Sequence, residues 1–305
     1  MTELLFTTNE IAKMLQVDKS TVKRWTDDGK LRCFRTPGGH RKFRAEDLYQ
    51  FRADYSYGNS PPDLYPQFAS DESVIRRIIE QKEFNVLDSV CFSAAIKGNR
   101  NDIIELFSQT YKNGMSLPLI FDKILRPTIK KIDNLHNSGK LFASEKQLAA
   151  YALSGAVVLL SDTIMKSPTN GKRALCATVE KDFNDLELTA LAVLLEAQGF
   201  GVLNLGTSIP AESVAQLVKA KQPNFVFLTA SSIVDEDAVI DEHARIQNEL
   251  KAFGGKLIVG GVGFTKDFLE KKLNGMYDTF CSNFKEYTIA LYERREVKIG
   301  EGGMK

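Results

Sequence analysis

Histidine is scarce in this 305-residue chain: His40, His136 and His243 are all it has. So few imidazoles argue against a His-rich metal site. Cysteine is scarce too. Cys33, Cys91, Cys176 and Cys281 lie far apart and form no CxxC pair. That spacing argues against a zinc cluster or a disulfide framework and reads as free thiols, buried or half-buried. No apolar run approaches the roughly 20 residues that span a bilayer. The opening MTELLFTTNE lacks the basic start and apolar core of a signal peptide. A cytosolic protein without a membrane partner is expected. There is no P-loop, and GGVGF at 260–264 is not a GxGxxG fingerprint. Nucleotide-cofactor enzymes lack support on that count.

Hydrophobic residues make up 43% and charged residues 26%, an ordinary balance for a globular chain. The length exceeds one ordinary core, so two or three domains are expected. The net charge of +1 conceals an asymmetry. Residues 1–53 carry eleven Lys/Arg against seven Asp/Glu, a local +4, with the densest stretch from Lys19 to Arg44. A basic head on an acidic body implies a polyanion partner for the head alone.

FTTNEIAKMLQVDKSTVKRWTDDGKL reads as two short helices and a turn. Thr7 or Thr8 caps the first, and Asp18 is an N-cap for the second. Ile11, Ala12 and Leu15 share a face of the first helix, and Val22 and Trp25 face inward from the second. That leaves Lys19, Ser20, Thr21, Lys23 and Arg24 outward, the layout of a helix-turn-helix. LRCFRTPGGHRKF then runs into and out of a Pro-Gly-Gly turn, a hairpin with Arg32, Arg35, Arg41 and Lys42 on its arms. RAEDLYQF starts a closing helix with Leu48 and Phe51 facing back.

Residues 5–52 resemble the winged helix-turn-helix of the MerR/excisionase superfamily, in the variant with a TPGGHR wing. The resemblance implies binding of double-stranded promoter DNA through Ser20, Thr21, Lys23, Arg24, Arg35, Gly38, Gly39, His40, Arg41 and Lys42. Trp25 reads as core. MerR proteins proper follow this head with a long dimerisation helix. Here DYSYGNSPPDLYPQFASDE follows instead and reads as a linker over 55–72, so any dimerisation must come from elsewhere.

Residues 73–166 are helical almost throughout by periodicity, punctuated by Gly98, Gly114 and Gly139, and fit a four-helix bundle. Over 172–296, five strand-like runs (RALCATV, FGVLNLG, NFVFLTAS, KLIVGGVGF, DTFCS) alternate with helices. This spacing predicts an α/β domain with a five-stranded parallel sheet, flavodoxin-like or Rossmann-like, followed by a tail at 297–305.

SAAIKGNRNDIIELFSQTYKNGMSLPLIFDKILRPTIKKIDNLHNSGKL and EKQLAAYALSGAVVLL are similar to the helical cap of cobalamin-binding modules. In that family a tryptophan stands at the position of His136, and a Glu-His pair at the positions of Lys146 and Gln147. The α/β part resembles the domain that follows that cap, which carries D-x-H-x-x-G after its first strand. The histidine ligates cobalt from below, and the glycine lets the nucleotide tail pass. Here those three positions are Asp182, Asn184 and Glu187, in EKDFNDLE. Ser231, Gly260 and Gly261, together with Leu205 and Gly206, look family-like at the pocket. An amide replaces the imidazole, and a charged side chain replaces bare backbone. The expectation is therefore a module that works without cobalamin. EKDFNDLE has no nucleophile, ligand histidine or oxyanion motif beside it, so a solvated acidic turn is expected there rather than a catalytic site.

The whole order resembles the light- and cobalamin-dependent repressors of bacterial carotenoid synthesis. It implies a sequence-specific transcription regulator, not an enzyme, that assembles as a homo-oligomer. Its control would come from a small-molecule effector or a regulatory protein partner. Two alternatives stay open. One is a cobalamin sensor with non-standard ligation, for instance through His136, and the other is a corrinoid-type enzyme subunit. An excisionase-like architectural protein ranks last, since it leaves the large tail without a role.

Overall fold

The computed structural model describes residues 5–15, 17–54 and 72–292. The stretch expected as a linker, apart from Glu72, lies outside the described residues, as do 293–296 and the tail at 297–305.

The head begins with Leu5–Thr7 (β1) and Thr8–Met14 (α1). Thr7 is the N-cap, and its hydroxyl accepts from the Glu10 N–H at 3.2 Å. The Glu10 carboxylate accepts from the Thr7 N–H at 2.7 Å, which completes a capping box. Asp18 starts Lys19–Asp27 (α2) without a side-chain cap bond. Phe34–Arg35 (β2) and Arg41–Arg44 (β3) form the hairpin, and β1 pairs with the other side of β3 in a three-stranded antiparallel sheet. Only Gly39 of the Gly38–Gly39 pair uses a positive φ, +77°. Its N–H closes the turn onto the Thr36 carbonyl at 2.8 Å. Ala45–Asp54 (α3) returns Leu48 and Phe51 to the core, where Phe51 meets Trp25 at 4.9 Å between ring centroids.

Where four helices were expected in the middle, the described residues form six segments. These are Glu72–Glu80 (α4), Phe84–Ile96 (α5), Arg100–Lys112 (α6), Leu117–Ile120 (α7), Arg126–Asn137 (α8) and Ala143–Leu160 (α9). A π-helical turn, Phe121–Leu125, joins α7 to α8 in one unbroken rod. Pro127 has no N–H to donate to the Lys123 carbonyl, so the turn ahead of it widens. Gly98, Gly114 and Gly139 each stand just past a helix end with positive φ, which ends the helix where an L side chain would be strained.

The α/β part runs Arg173–Thr178 (β4), Leu186–Ala197 (α10), Gly201–Asn204 (β5), Ala211–Lys221 (α11), Phe225–Thr229 (β6), Glu236–Lys251 (α12), Lys256–Gly260 (β7), Lys266–Lys271 (α13), Thr279–Cys281 (β8) and Phe284–Ala290 (α14). The five strands are parallel in the order β5-β4-β6-β7-β8, the flavodoxin-like winding. Strand periodicity then divides the core. Ala174, Cys176, Phe225, Phe227, Ile258 and Cys281 face α10, α14 and the helical middle. Leu175, Ala177, Val226, Leu228, Leu257 and Val259 face α11, α12 and α13. The first cluster runs without interruption into the middle helices and the head.

Candidate nucleic-acid interface and ligand crevice

In the head, burial of Val22 and Trp25 turns the opposite face of α2 to solvent. Lys19, Ser20, Lys23 and Arg24 are exposed there, and Thr21 is half-buried. Arg35, Gly38, Gly39 and His40 are exposed on the hairpin, whereas Arg41 and Lys42 are half-buried. The Arg41 guanidinium donates to Asp27 at 2.5 Å, tying the hairpin to the end of α2. Arg44 lies over the Phe34 ring at 5.8 Å. The head is held to the middle by Arg77 of α4, which donates to Glu10 at 2.7 Å. Sequence reasoning missed both pairs, because only the fold brings residues 10 and 77 together.

The second site is the crevice at the carboxyl ends of β4 and β6, where the strand order reverses. Asp182 follows β4 and is buried. Its carboxylate accepts from the Ser231 N–H and from the Ser231 hydroxyl at 2.7 Å, and from the Asn184 N–H at 3.1 Å. This clamp closes the switch point from one strand to the next. Thr178 accepts from the Ser208 N–H at 2.9 Å and donates to the Asp182 carbonyl at 2.7 Å. Lys181 and Ser208 both hold positive φ, +69° and +52°, and the Lys181 N–H donates to the Ser208 hydroxyl at 3.0 Å. Non-glycine strain of this kind persists where neighbours over-determine it.

Asn184 turns its side-chain oxygen to the Leu186 N–H at 3.3 Å, a local turn just ahead of α10, whose N-cap is Asp185. Glu187 accepts from Arg126 of α8 at 2.8 Å. Burial raises the Glu187 pKa, and the charge and hydrogen bond of Arg126 oppose that rise. Arg126 also donates to the Ser282 carbonyl and lies over the Phe284 ring at 5.6 Å. Asp122 accepts from the Phe284 N–H at 2.9 Å and the Lys285 N–H at 3.1 Å. Tyr287 is wholly buried beneath, against Phe227 at 6.0 Å and Phe284 at 5.9 Å. Its hydroxyl sits only 2.0 Å from where a Cβ on Gly260 would be, and burial pushes its pKa well up. Gly261 is equally constrained, since a Cβ there would meet the Ala230 carbonyl at 2.4 Å.

EKDFNDLE is therefore not the solvated acidic turn expected: Asp182 is a buried clamp and Glu187 a bridged carboxylate, while Phe183, Asn184 and Asp185 are exposed. His136 is set apart from this site. Its Nδ1 lies 3.1 Å from the Leu141 carbonyl, ten residues or about 15 Å along α8 from Arg126. Lys146 pairs with Asp133 at 2.8 Å, and Gln147 is exposed.

The comparisons agree with this geometry. The model of a helix-turn-helix domain matches residues 5–54, and that of a B12 binding domain matches residues 172–287. The methanol corrinoid protein of Methanosarcina barkeri is 22% identical over 186 residues, covering 60% of this chain and 70% of the relative. Monomethylamine corrinoid protein 2 of Methanosarcina acetivorans is 23% identical over 184 residues, 59% of this chain and 85% of that one. The solved structure of the Methanosarcina barkeri monomethylamine corrinoid protein shares the fold, with a TM-score of 0.56 and 21% identity over 66% of this chain and 95% of its own.

These findings overturn the expectation of a module without a cofactor, because the B12 binding domain and the corrinoid relatives point to cobalamin as its ligand class. The expectation erred by weighing the altered upper positions, His136, Lys146 and Gln147, and the altered lower ones, Asn184 and Glu187, above the rest of the domain. What the residues do not fit is one mode of holding that ligand. Asn184 offers no imidazole to cobalt, and Glu187, Arg126 and Tyr287 occupy the interior where a bare glycine was expected to leave passage. The Asp182–Ser231 clamp remains. The chain carries a helix-turn-helix domain over residues 5–54 joined, through a helical middle, to a B12 binding domain over residues 172–287.

Proposed function

We propose that this protein is a sequence-specific transcription regulator, a repressor, whose B12 binding domain senses a corrinoid and governs how homo-oligomers assemble on promoter DNA. The observation that carries the reading is the exposed cationic face of α2, with Lys19, Lys23 and Arg24, beside the exposed Arg35 of the hairpin. That face suits the major groove, and the β2–β3 hairpin acts as a MerR-type wing on the adjacent backbone. The regulator reads DNA and catalyses nothing. The Glu10–Arg77 pair and the core shared by head and middle support transmission of the ligand state to the head.

The test is selection from a random duplex library with the full-length protein at physiological salt, with and without hydroxocobalamin. Enrichment of one sequence whose affinity changes with the corrinoid supports the reading, and no enrichment removes it. A second reading, a corrinoid-protein-like enzyme subunit, draws support from the corrinoid relatives. It predicts stoichiometric corrinoid binding and no sequence preference on DNA.

A further inference from the structure

We propose that a corrinoid held by this module lies flat on the crevice rim with its nucleotide arm outside the protein, so that no protein nitrogen ligates cobalt from below. The inference rests on the corrinoid reading of the module and adds how the ligand is held.

Three large apolar side chains stand out from the rim, among polar neighbours of which Lys181 and Asp235 are paired at 2.6 Å. Phe183, Val234 and Val262 are 77%, 73% and 75% exposed. They stand on the loops that follow β4, β6 and β7, three neighbouring strands, at one edge of the sheet. Large apolar side chains held this open gain by covering, and a broad ring face is the shape that covers three at once. The backbone under them is fixed. The Asp182–Ser231 clamp joins the first two loops. Gly263 of the third lies so close to the second that a Cβ would meet the Ser232 nitrogen at 2.8 Å. A site already in its bound shape loses little on binding.

The interior below is closed. For an arm to descend between α10, α14 and the sheet, Tyr287 would have to leave its place on Gly260, and the Arg126–Glu187 bridge would have to open. Opening it leaves a half-buried carboxylate without its partner, beside Asp122 and Asp182, which already disfavour its charge. At position 184 the amide oxygen accepts from the Leu186 N–H, and an amide oxygen is a poor donor to cobalt in any case. The lower face of the metal is left to the corrinoid's own base or to water.

The experiment compares two probes on the full-length protein by visible absorption: hydroxocobalamin, and aquocobinamide, which lacks the nucleotide arm. The expected result is dissociation constants within about threefold of each other. With cob(II)alamin, electron paramagnetic resonance should give a spectrum unchanged when the protein is uniformly labelled with nitrogen-15, with nitrogen splitting if the corrinoid's own base takes the lower face and none if water does. Cobalamin binding at least about tenfold tighter than cobinamide, or splitting that follows the protein label, overturns the proposal while leaving the corrinoid reading intact. Binding of neither probe overturns both. The variant E187G/Y287A opens the passage and should shift preference toward cobalamin by about tenfold or more, while Y287F should leave it unchanged. If E187G/Y287A fails to fold, the wild-type comparison still decides.

Discussion

Glu187 shows what one residue can do when the fold buries it. Burial alone pushes its carboxyl toward neutrality, and Arg126 at 2.8 Å holds it back. Removing one partner of such a pair is costly, while removing both is much less so. Arg126→Ala should lower stability by about 3 kcal/mol in urea unfolding, and R126M/E187L should recover more than half of that loss. Equal losses in both would show that the bridge carries no coupling. Glu242 supplies a second case. It is wholly buried on α12, and burial raises its pKa to about 8, against the lowering effect of the Glu180 N–H that its carboxylate accepts. A folded pKa above the unfolded one means stability is fully present below the ordinary carboxyl range and is lost as pH rises toward 8. His243 beside it works in the opposite sense. Burial lowers its pKa to about 4, so its contribution is present above its ordinary value and is lost as pH falls toward 4. Glu242→Gln should therefore be more stable than the parent at pH 8 by roughly 1–3 kcal/mol, with the advantage shrinking toward pH 5. Thermal melts across that range would check it.

At the scale of elements, the head is a set of short pieces that depend on their ends. α1 has seven residues, too few to be stable alone, and its capping box supplies what length cannot. Thr7→Ala should cost about 1 kcal/mol. Glu10→Ala should cost more, because Glu10 completes the box and also receives Arg77 from α4. Thermal unfolding of the two variants checks the order, and equal costs would mean the Arg77 contact adds nothing. On α2 the expected change is in binding, not stability. Arg24→Ala should weaken binding to the selected DNA by about 1–3 kcal/mol if it touches a base, with less effect on random duplex. A uniform loss with a shallower salt slope would assign Arg24 to phosphate instead. Arg41, engaged by Asp27, is a different case: Asp27→Ala frees it, so that variant should bind random duplex more tightly in gel shifts.

For the whole molecule, the arrangement of cores matters most. One cluster joins the head, the middle helices and one face of the parallel sheet, and a second lies on the far face. The first is the apolar contact that links the parallel sheet, through the middle helices, to the head. The affinity of the full chain for its selected DNA should fall linearly on a logarithmic salt scale, with a slope set by the number of neutralised phosphates. A flat response would deny the cationic face any role. Much of this layout was legible in the chain itself. Apolar runs bounded by turn residues marked the five strands, the spacing of Val22 and Trp25 on one helix face oriented α2, and Pro37–Gly39 marked the hairpin. These are local patterns, and local periodicity is dictated by backbone geometry that any fold must obey. EKDFNDLE was misjudged because its role depends on distant partners. Nothing near Asp182 in sequence announces Ser231, nothing near Glu187 announces Arg126, and Tyr287 lies far along the chain from Gly260, against which its hydroxyl packs. The order of helices and strands in the α/β part was thus determined by the sequence alone, whereas the division of the middle into six segments was not. Which charges are buried, which are paired and whether the crevice has an open floor were decided only by tertiary structure, because burial and long-range pairing depend on what the folded chain sets side by side.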